Sequence, residues 1–220
     1  MAGQNNMRTV QQDVSQWQSH DHRNLSTTIN VSGGGYGSRV IVGSEETRLV
    51  VVRGNSASGK SSVAAGIRDR FGRGLALVGQ DNLRRIVLRE RDVPGGKNIG
   101  LIDTVARYSL DAGYHVVVEG IMYADRYGPM LEDLVGEHRG VSRCYYLDVP
   151  LAETFARHAT KPDLDYLTQV TEQHLQGWYR ERDLLPSGIE TVIDASSTLE
   201  GTVARIVRET GLDRVQPIDG

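Results

Sequence analysis

Apolar residues are distributed along this chain in two ways: short unbroken clusters, and longer stretches in which they recur every three or four positions. The clusters Leu49-Val50-Val51-Val52, Leu75-Ala76-Leu77-Val78, Val116-Val117-Val118, Tyr145-Tyr146-Leu147 and Val192-Ile193 carry no polar alternation. A strand covered by helices on both faces has that pattern, whereas a strand with one wet face alternates. The clusters predict strands at 48–53, 75–79, 115–119, 142–147 and 190–194. Between them the helical recurrence predicts helices near 60–72, 99–112, 124–137, 151–158 and 198–209. One more is expected over 164–184, with Leu164, Leu167, Val170, His174 and Trp178 along one face. Strand and helix alternate from Arg48 onward, which implies an α/β fold with a parallel sheet and crossover helices.

The first 30 or so residues break this regularity. They are polar, rich in Gln, Asn, Ser and His, and read as a tail. The segments 28–31 and 39–42 flank the glycines Gly33, Gly34, Gly35 and Gly37, which predicts a hairpin or flexible joint. Gly35-Tyr36-Gly37 lacks the third glycine and the helix of a nucleotide loop, so it reads as a turn. The expected organisation is a polar extension over 1–45 and one folded domain over 46–220. With 220 residues and 39% hydrophobic content there is room for one sizeable core. A net charge of −3 gives no electrostatic footprint for nucleic acid or an anionic membrane. Cys144 is the only cysteine, which excludes an intrachain disulfide and suits a reducing cytoplasm. Its expected role is that of a small buried apolar residue. No apolar run is long enough for a signal peptide or a bilayer span, so a soluble cytoplasmic protein is expected.

The candidate chemistry begins where the first strand ends. Gly54-Asn55-Ser56-Ala57-Ser58-Gly59-Lys60-Ser61 is a complete G-x-x-x-x-G-K-[ST] phosphate loop, and Ser62 continues into the predicted helix. The glycines let consecutive N–H groups turn inward and cradle phosphate at a helix N-terminus. Lys60 is expected at the β- and γ-phosphates and the Ser61 hydroxyl on Mg²⁺. After the second strand, Asp81 reads as a helix N-cap, as the base that takes the proton of an acceptor hydroxyl, or as both. Glu119, after three valines, resembles a Walker B acid and is the second metal candidate. Tyr123, Asp125, Arg126 and Tyr127 either line an acceptor pocket or begin the next helix; Arg84, Tyr123 and Arg126 are the acceptor-binding candidates. Arg157 and Lys161 supply cations for the migrating charge, or stabilise a helix C-terminus. His158, with no ligand-spaced partner, is expected at the surface. Ala195 and Ser196 offer polar backbone to a purine, while Asp194 and Ser197 equally suit a turn and cap. Only three lysines occur, Lys60, Lys97 and Lys161, a distribution that leans toward functional positions.

The series formed by the phosphate loop, Gln80-Asp81, Val-Val-Val-Glu119-Gly120, Asp148-Val149-Pro150 with Glu153 and Arg157, and Ile193-Asp194-Ala195-Ser196 resembles the small P-loop kinases. It is most similar to the group of chloramphenicol phosphotransferase, and more distantly to zeta toxins and shikimate or gluconate kinases. The likeness covers about residues 46–212. It implies a three-layer, nucleoside-monophosphate-kinase-like P-loop NTPase: a five-stranded parallel sheet of order 2-3-1-4-5, helices on both faces, and a lid carrying Arg157 and Lys161. It also implies Asp81 as base, ATP or GTP as donor, Mg²⁺, and a small-molecule acceptor. That acceptor would be an antibiotic, such as a nucleoside type of the capuramycin class in self-resistance, or else a metabolic sugar or nucleotide, or a zeta-toxin-like substrate. Such lids usually carry a second arginine where Lys161 stands, which changes the phosphate contact at that position. A regulatory switch is the competing class, because Thr160-Lys161-Pro162-Asp163 fits [NT]-K-x-D. That stretch follows a helix, however, and Glu119-Gly120 replaces the D-x-x-G such a switch needs.

Overall fold

The computed structural model describes residues 41–160 and 164–217 of the chain. The expectations for the tail, the glycine cluster and Lys161 lie outside these residues.

Five strands, β1 (Arg48–Gly54), β2 (Leu75–Gly79), β3 (His115–Glu119), β4 (Val141–Asp148) and β5 (Glu190–Asp194), form one parallel sheet in the order β2-β3-β1-β4-β5. The absence of alternation in β1 has the expected cause. Leu49 and Val51 pack with Ile102, Ala106 and Leu110 of α2 (Lys97–Asp111) and with Leu131 and Leu134 of α3 (Ala124–Glu137). Val50 and Val52 pack on the opposite face, with Val63, Ala64 and Ile67 of α1 (Lys60–Phe71) and Val203, Ile206 and Val207 of α7 (Leu199–Thr210). All four β1 residues are at most 1% exposed. Each such side chain contributes about 1.5–3 kcal/mol on leaving water, so the sheet is held from both faces. No helix among the described residues is long and apolar enough to cross a membrane.

The remaining helices depart from the sequence reading in two places. The helix expected over 164–184 is two short helices, α5 (Leu164–Gln169) and α6 (Glu172–Trp178), following α4 (Leu151–Ala159). The break falls at Val170, which is 5% exposed and whose carbonyl accepts a hydrogen bond from His158 Nε2 at 2.7 Å. The Thr171 N–H then donates to His174 Nδ1 at 3.2 Å and starts the next helix. His174 and Trp178 do share a face, their rings stacked 5.6 Å apart. The same contact corrects the surface reading of His158, which is 5% exposed and holds the bend.

The second departure follows β2. Residues Asn82–Val87 wind as a π-helical turn, and Asp81 already has helical backbone angles (φ −64°, ψ −35°) and makes no cap hydrogen bond. The cap reading of Asp81 therefore fails. Its carboxylate turns instead to Arg84, at 2.8 Å, and Arg85, at 3.7 Å. π-Helical turns are rare and frequently mark functional sites.

Candidate active site

The phosphate loop leaves β1 through a glycine that no other residue replaces. Gly54 has φ 143°, and a Cβ there would stand 2.6 Å from the Leu147 carbonyl oxygen of β4. Ala57 (φ 59°) and Gly59 (φ 100°) curl the chain back toward α1. No side chain caps α1, so its first-turn N–H groups are left for an anion, with the helix dipole in favour. Lys60 Nζ donates to the Asn55 carbonyl at 2.6 Å and lies 3.4 Å from Ser58 Oγ. Arg157, braced by Glu153 at 2.9 Å, donates to the Ser58 carbonyl at 3.1 Å. Both cations thus reach the loop, Lys60 from its own C-terminal end and Arg157 from another part of the chain.

Beside the loop opens a cavity of about 640 Å³, lined among others by Gly59, Ser62, Arg157, Ile193, Ala195 and Thr202. Its size suits a ligand such as a nucleotide. At its rim the Asp194 carboxylate accepts from the Ser196 N–H at 2.9 Å and the Ser196 hydroxyl at 2.5 Å, and these bonds hold its pKa below the usual carboxylate value. Asp194 is therefore the turn. The cap of α7 is Thr198, whose hydroxyl accepts from Gly201 N–H at 3.0 Å, and not Ser197.

On the other side of the loop, the Ser61 hydroxyl donates to Glu119 Oε2 at 3.1 Å. Burial pushes the Glu119 carboxyl above its ordinary pKa; Lys60 and the Ser61 hydroxyl pull it down, and the charge of Asp81 raises it further. A half-buried carboxylate beside a hydroxyl is a hard-oxygen pair, which fits Mg²⁺, an ion that keeps most of its waters and uses one or two protein oxygens. Among the described residues no group of three or more His, Cys, Asp and Glu could hold a metal, so a site richer in protein ligands is absent there. The glycine after Glu119 has a steric cause: a Cβ on Gly120 would stand 2.6 Å from the Gln80 side chain. Gln80 passes over it to accept from Met122 N–H at 3.2 Å and donate to the Tyr127 hydroxyl at 2.7 Å.

Beyond β2 and β3 lies a cluster of arginines and aromatic rings. The Arg180 guanidinium stands 3.9 Å from the centroid of the Tyr123 ring and the Arg126 guanidinium 5.0 Å from it. Arg180 is held by Asp125 at 2.8 Å. Arg126 donates to the Asp92 carbonyl at 2.8 Å and lies 3.4 Å from its carboxylate, which also meets the Tyr127 hydroxyl at 2.9 Å. Asn55, 3% exposed, joins this cluster to the phosphate loop: its amide accepts from Arg180 N–H at 2.9 Å and donates to the Arg180 carbonyl at 2.8 Å.

Neither a family model nor a curated protein matches the chain. Solved structures do. The Mycobacterium tuberculosis APS kinase CysC in complex with AMPPNP and APS is 19% identical, with a TM-score of 0.57, over 80% of this chain and 99% of that one. A sugar kinase from Janibacter sp. HTCC2649 is 21% identical, with a TM-score of 0.53, over 76% and 97%. The Deinococcus radiodurans tunicamycin resistance protein is 16% identical, with a TM-score of 0.50, over 79% and 99%. The strand order, the loop after β1 and these likenesses agree. The chain has the P-loop kinase fold.

Within the P-loop kinase fold, the cavity wall gathers Ala57, Ser58, Gly59, Lys60, Ser61 and Ser62 with Arg157, Ala195 and Ser196. Gly54, Asn55 and Ser56 do not line it; Asn55 faces Arg180 instead. Ser61 and Glu119 meet as a pair, and Tyr123 and Arg126 meet across a ring face. Lys97 stands apart, exposed at the start of α2, with its N–H on Glu90 Oε1 at 2.7 Å. Cys144 is buried as expected, and burial pushes its thiol up to about 12. Sequence reasoning missed Arg53, Asp92, Arg180 and Asp183. Arg53 alone left a signal, as a lone charge closing an apolar strand.

Proposed function

We propose that the protein is a Mg²⁺-dependent small-molecule kinase that moves the γ-phosphate of ATP or GTP to a hydroxyl of its acceptor. The observation that carries this reading is the Ser61–Glu119 pair at 3.1 Å, set between a phosphate loop and a second acid, Asp81, whose charge reaches Glu119. Ser61 and Glu119 would hold the metal, which supplies charge neutralisation on the phosphates. Lys60 and Arg157 stabilise the charge on the migrating group, and Lys161 is proposed to assist them. Asp81 takes the proton as the acceptor oxygen bonds to phosphorus and the β–γ bridge breaks to leave the diphosphate. To do so it must leave Arg84. Arg84, Tyr123 and Arg126 form the acceptor side. Ala195 and Ser196 belong to the base end of the nucleotide cavity.

The acceptor is proposed to be an antibiotic, on the resemblance to the chloramphenicol phosphotransferase group and on the fold shared with a tunicamycin resistance protein. The alternative, a metabolic acceptor, draws on the fold shared with sugar and APS kinases. The test is incubation of the purified protein with Mg²⁺ and ATP or GTP against a library of hydroxylated antibiotics, sugars and nucleosides. Diphosphate release that depends on an acceptor, with a phosphorylated product, is expected. Hydrolysis indifferent to every acceptor and stimulated by a protein partner overturns the kinase in favour of a switch.

A further inference from the structure

We infer that the acceptor carries, beside the hydroxyl that is phosphorylated, an oxyanion bound by Arg84 and Arg126 with Arg180 as third cation. The hydroxyl part of this statement rests on the kinase reading; the anion site does not. Three guanidiniums arrive from three separate elements: the π-helical turn after β2, the first turn of α3, and the segment after α6. Arg126 and Arg180 meet at Tyr123, and Arg84 reaches the same cluster through Glu90 and Asn98. Arg126 and Arg180 lie on the Tyr123 ring, and Asp92 joins Arg126 to the Tyr127 hydroxyl; Arg84 donates to the Glu90 carbonyl at 3.3 Å, and the Glu90 carboxylate holds the Asn98 amide, whose oxygen accepts from the same Tyr127 hydroxyl at 2.8 Å. This is the β2–β3 half of the sheet, across β1 from the cavity beside β4 and β5. It is where an acceptor faces the nucleotide.

Two of the four carboxylates paired with these cations are far more exposed than the cations they hold. The Arg84 and Arg126 side chains are 18% and 19% exposed, whereas the carboxylates on Arg84 and Arg180, Asp81 and Asp125, are 64% and 58% exposed. Asp92, at 20%, and Asp183, 3.7 Å from Arg180 and 16% exposed, are the more enclosed acids, and Asp183 is shared with Arg53. Arg85 also leans on Asp81, and Glu90 is turned away onto Asn98 and the Lys97 N–H. The buried Nε–H of Arg84 and that of Arg126 meet no acceptor among the described residues. A buried donor without a partner forfeits its hydration for nothing. A ligand oxyanion that draws either guanidinium outward gives that donor a bond, because the planar fork matches carboxylate, sulfate and phosphate alike. Exposed ion pairs are weak enough to be exchanged. The exchange at Arg84 has a chemical consequence: an oxyanion that takes Arg84 releases Asp81 for the hydroxyl.

The test uses the full chain saturated with Mg²⁺ and AMPPNP, so that the phosphate loop is filled. Inorganic phosphate, sulfate and acetate are titrated separately by calorimetry at constant ionic strength. Saturable binding of at least one of them with Kd on the order of 1 mM is expected, and the strongest of the three identifies the group. Arg84→Gln and Arg126→Gln should each weaken it at least about tenfold, a change of about 1.4 kcal/mol. Arg126→Lys should fall between, losing the fork and keeping the charge. Arg139→Gln, a surface arginine paired with Glu45 at 3.5 Å, should match the parent. Thermal melts confirm folding, and Arg126→Lys serves if Arg126→Gln does not fold. No saturable binding of any of the three anions, or equal binding in the glutamine variants, overturns the inference. Binding lost in the variants without transfer to any hydroxyl keeps the anion site and sinks the kinase. Transfer to a neutral acceptor with KM unmoved by either substitution does the reverse.

Discussion

Glu119 and Asp81 are two acids whose surroundings assign them opposite consequences on mutation. The Glu119 carboxyl is half-buried and its pKa raised, so between its unfolded and folded values the native state binds the extra proton and stability falls as pH rises. At neutral pH its ionised form is a burden on the fold. Glu119→Gln should therefore melt higher at pH 7 and show no such gain near pH 4, while needing about 10–100-fold more Mg²⁺ for activity. An unchanged magnesium profile removes Glu119 from the site. Asp81 is mostly solvated and held by the more enclosed Arg84 and the exposed Arg85. Asp81→Asn should shift stability by well under about 1 kcal/mol yet lower kcat by roughly 10²–10⁴ if the carboxylate is the base. A kcat within a few-fold of the parent, with nucleotide binding intact, ends that role. Both positions were legible in sequence because each lies at the carboxyl end of a strand, Glu119 as the last residue of β3 and Asp81 just past the end of β2. Which one is the more enclosed was not, since that is set by the neighbours that other elements bring up to it, such as Ser61 beside Glu119.

At the scale of elements, the segment between α6 and β5 ties the parts of the site together. Arg53, fully buried at the end of β1, pairs with Glu190 of β5 at 2.8 Å and Asp183 at 3.2 Å, and donates to the Met122 carbonyl at 2.8 Å. Asp183 in turn accepts from Ala124 N–H at 2.9 Å, at the start of α3. One guanidinium therefore fixes the loop after β3, the helix behind it and the segment that carries Arg180. Removing it leaves the Glu190 carboxylate, 1% exposed, without its cation. Arg53→Met should lose about 3–5 kcal/mol of stability, as a broken buried pair does. Arg53→Met with Glu190→Gln should lose at least about 1 kcal/mol less than the sum of the single changes, read from urea midpoints. Additive losses would show that the pair is not coupled. The strands and most helices of this framework could be read from apolar spacing, which burial imposes on sequence directly. The break at Val170 could not, because it is set by a histidine twelve positions earlier. The arginine cluster is equally tertiary, its members being drawn from 84, 126 and 180.

Across the whole molecule, the two ends of the sheet respond to acid for different reasons. The carboxyl ends carry the site, and the amino ends carry two buried histidines. His115 accepts from Arg48 N–H at 3.1 Å, with the Phe71 ring 4.9 Å away edge-on. His138 sits between the hydroxyls of Thr47, at 2.9 Å, and Ser142, at 2.8 Å. Burial, with the Arg48 charge behind it, lowers each to about 4 from an ordinary 6.5. Between those values the unfolded chain binds more protons than the native one, so stability rises with pH across the window and is lost as pH falls from about 6.5 toward about 4. The slope should be about 1.4 kcal/mol per pH unit per histidine. Protonation of Glu119 acts in the opposite sense on stability, because its folded pKa is raised, and in its proposed metal role it would act on magnesium binding at the other end. Activity and folding should therefore fail separately in mild acid. Urea midpoints from pH 7 to pH 4.5, taken beside magnesium titrations, separate the two. His115→Asn keeps an acceptor near Arg48 N–H and cannot titrate, so it should remove about half of the acid-dependent loss and leave the magnesium response alone. A parent whose urea midpoint is flat over that range, or a variant as acid-sensitive as the parent, would show that these histidines are not what destabilises the sheet.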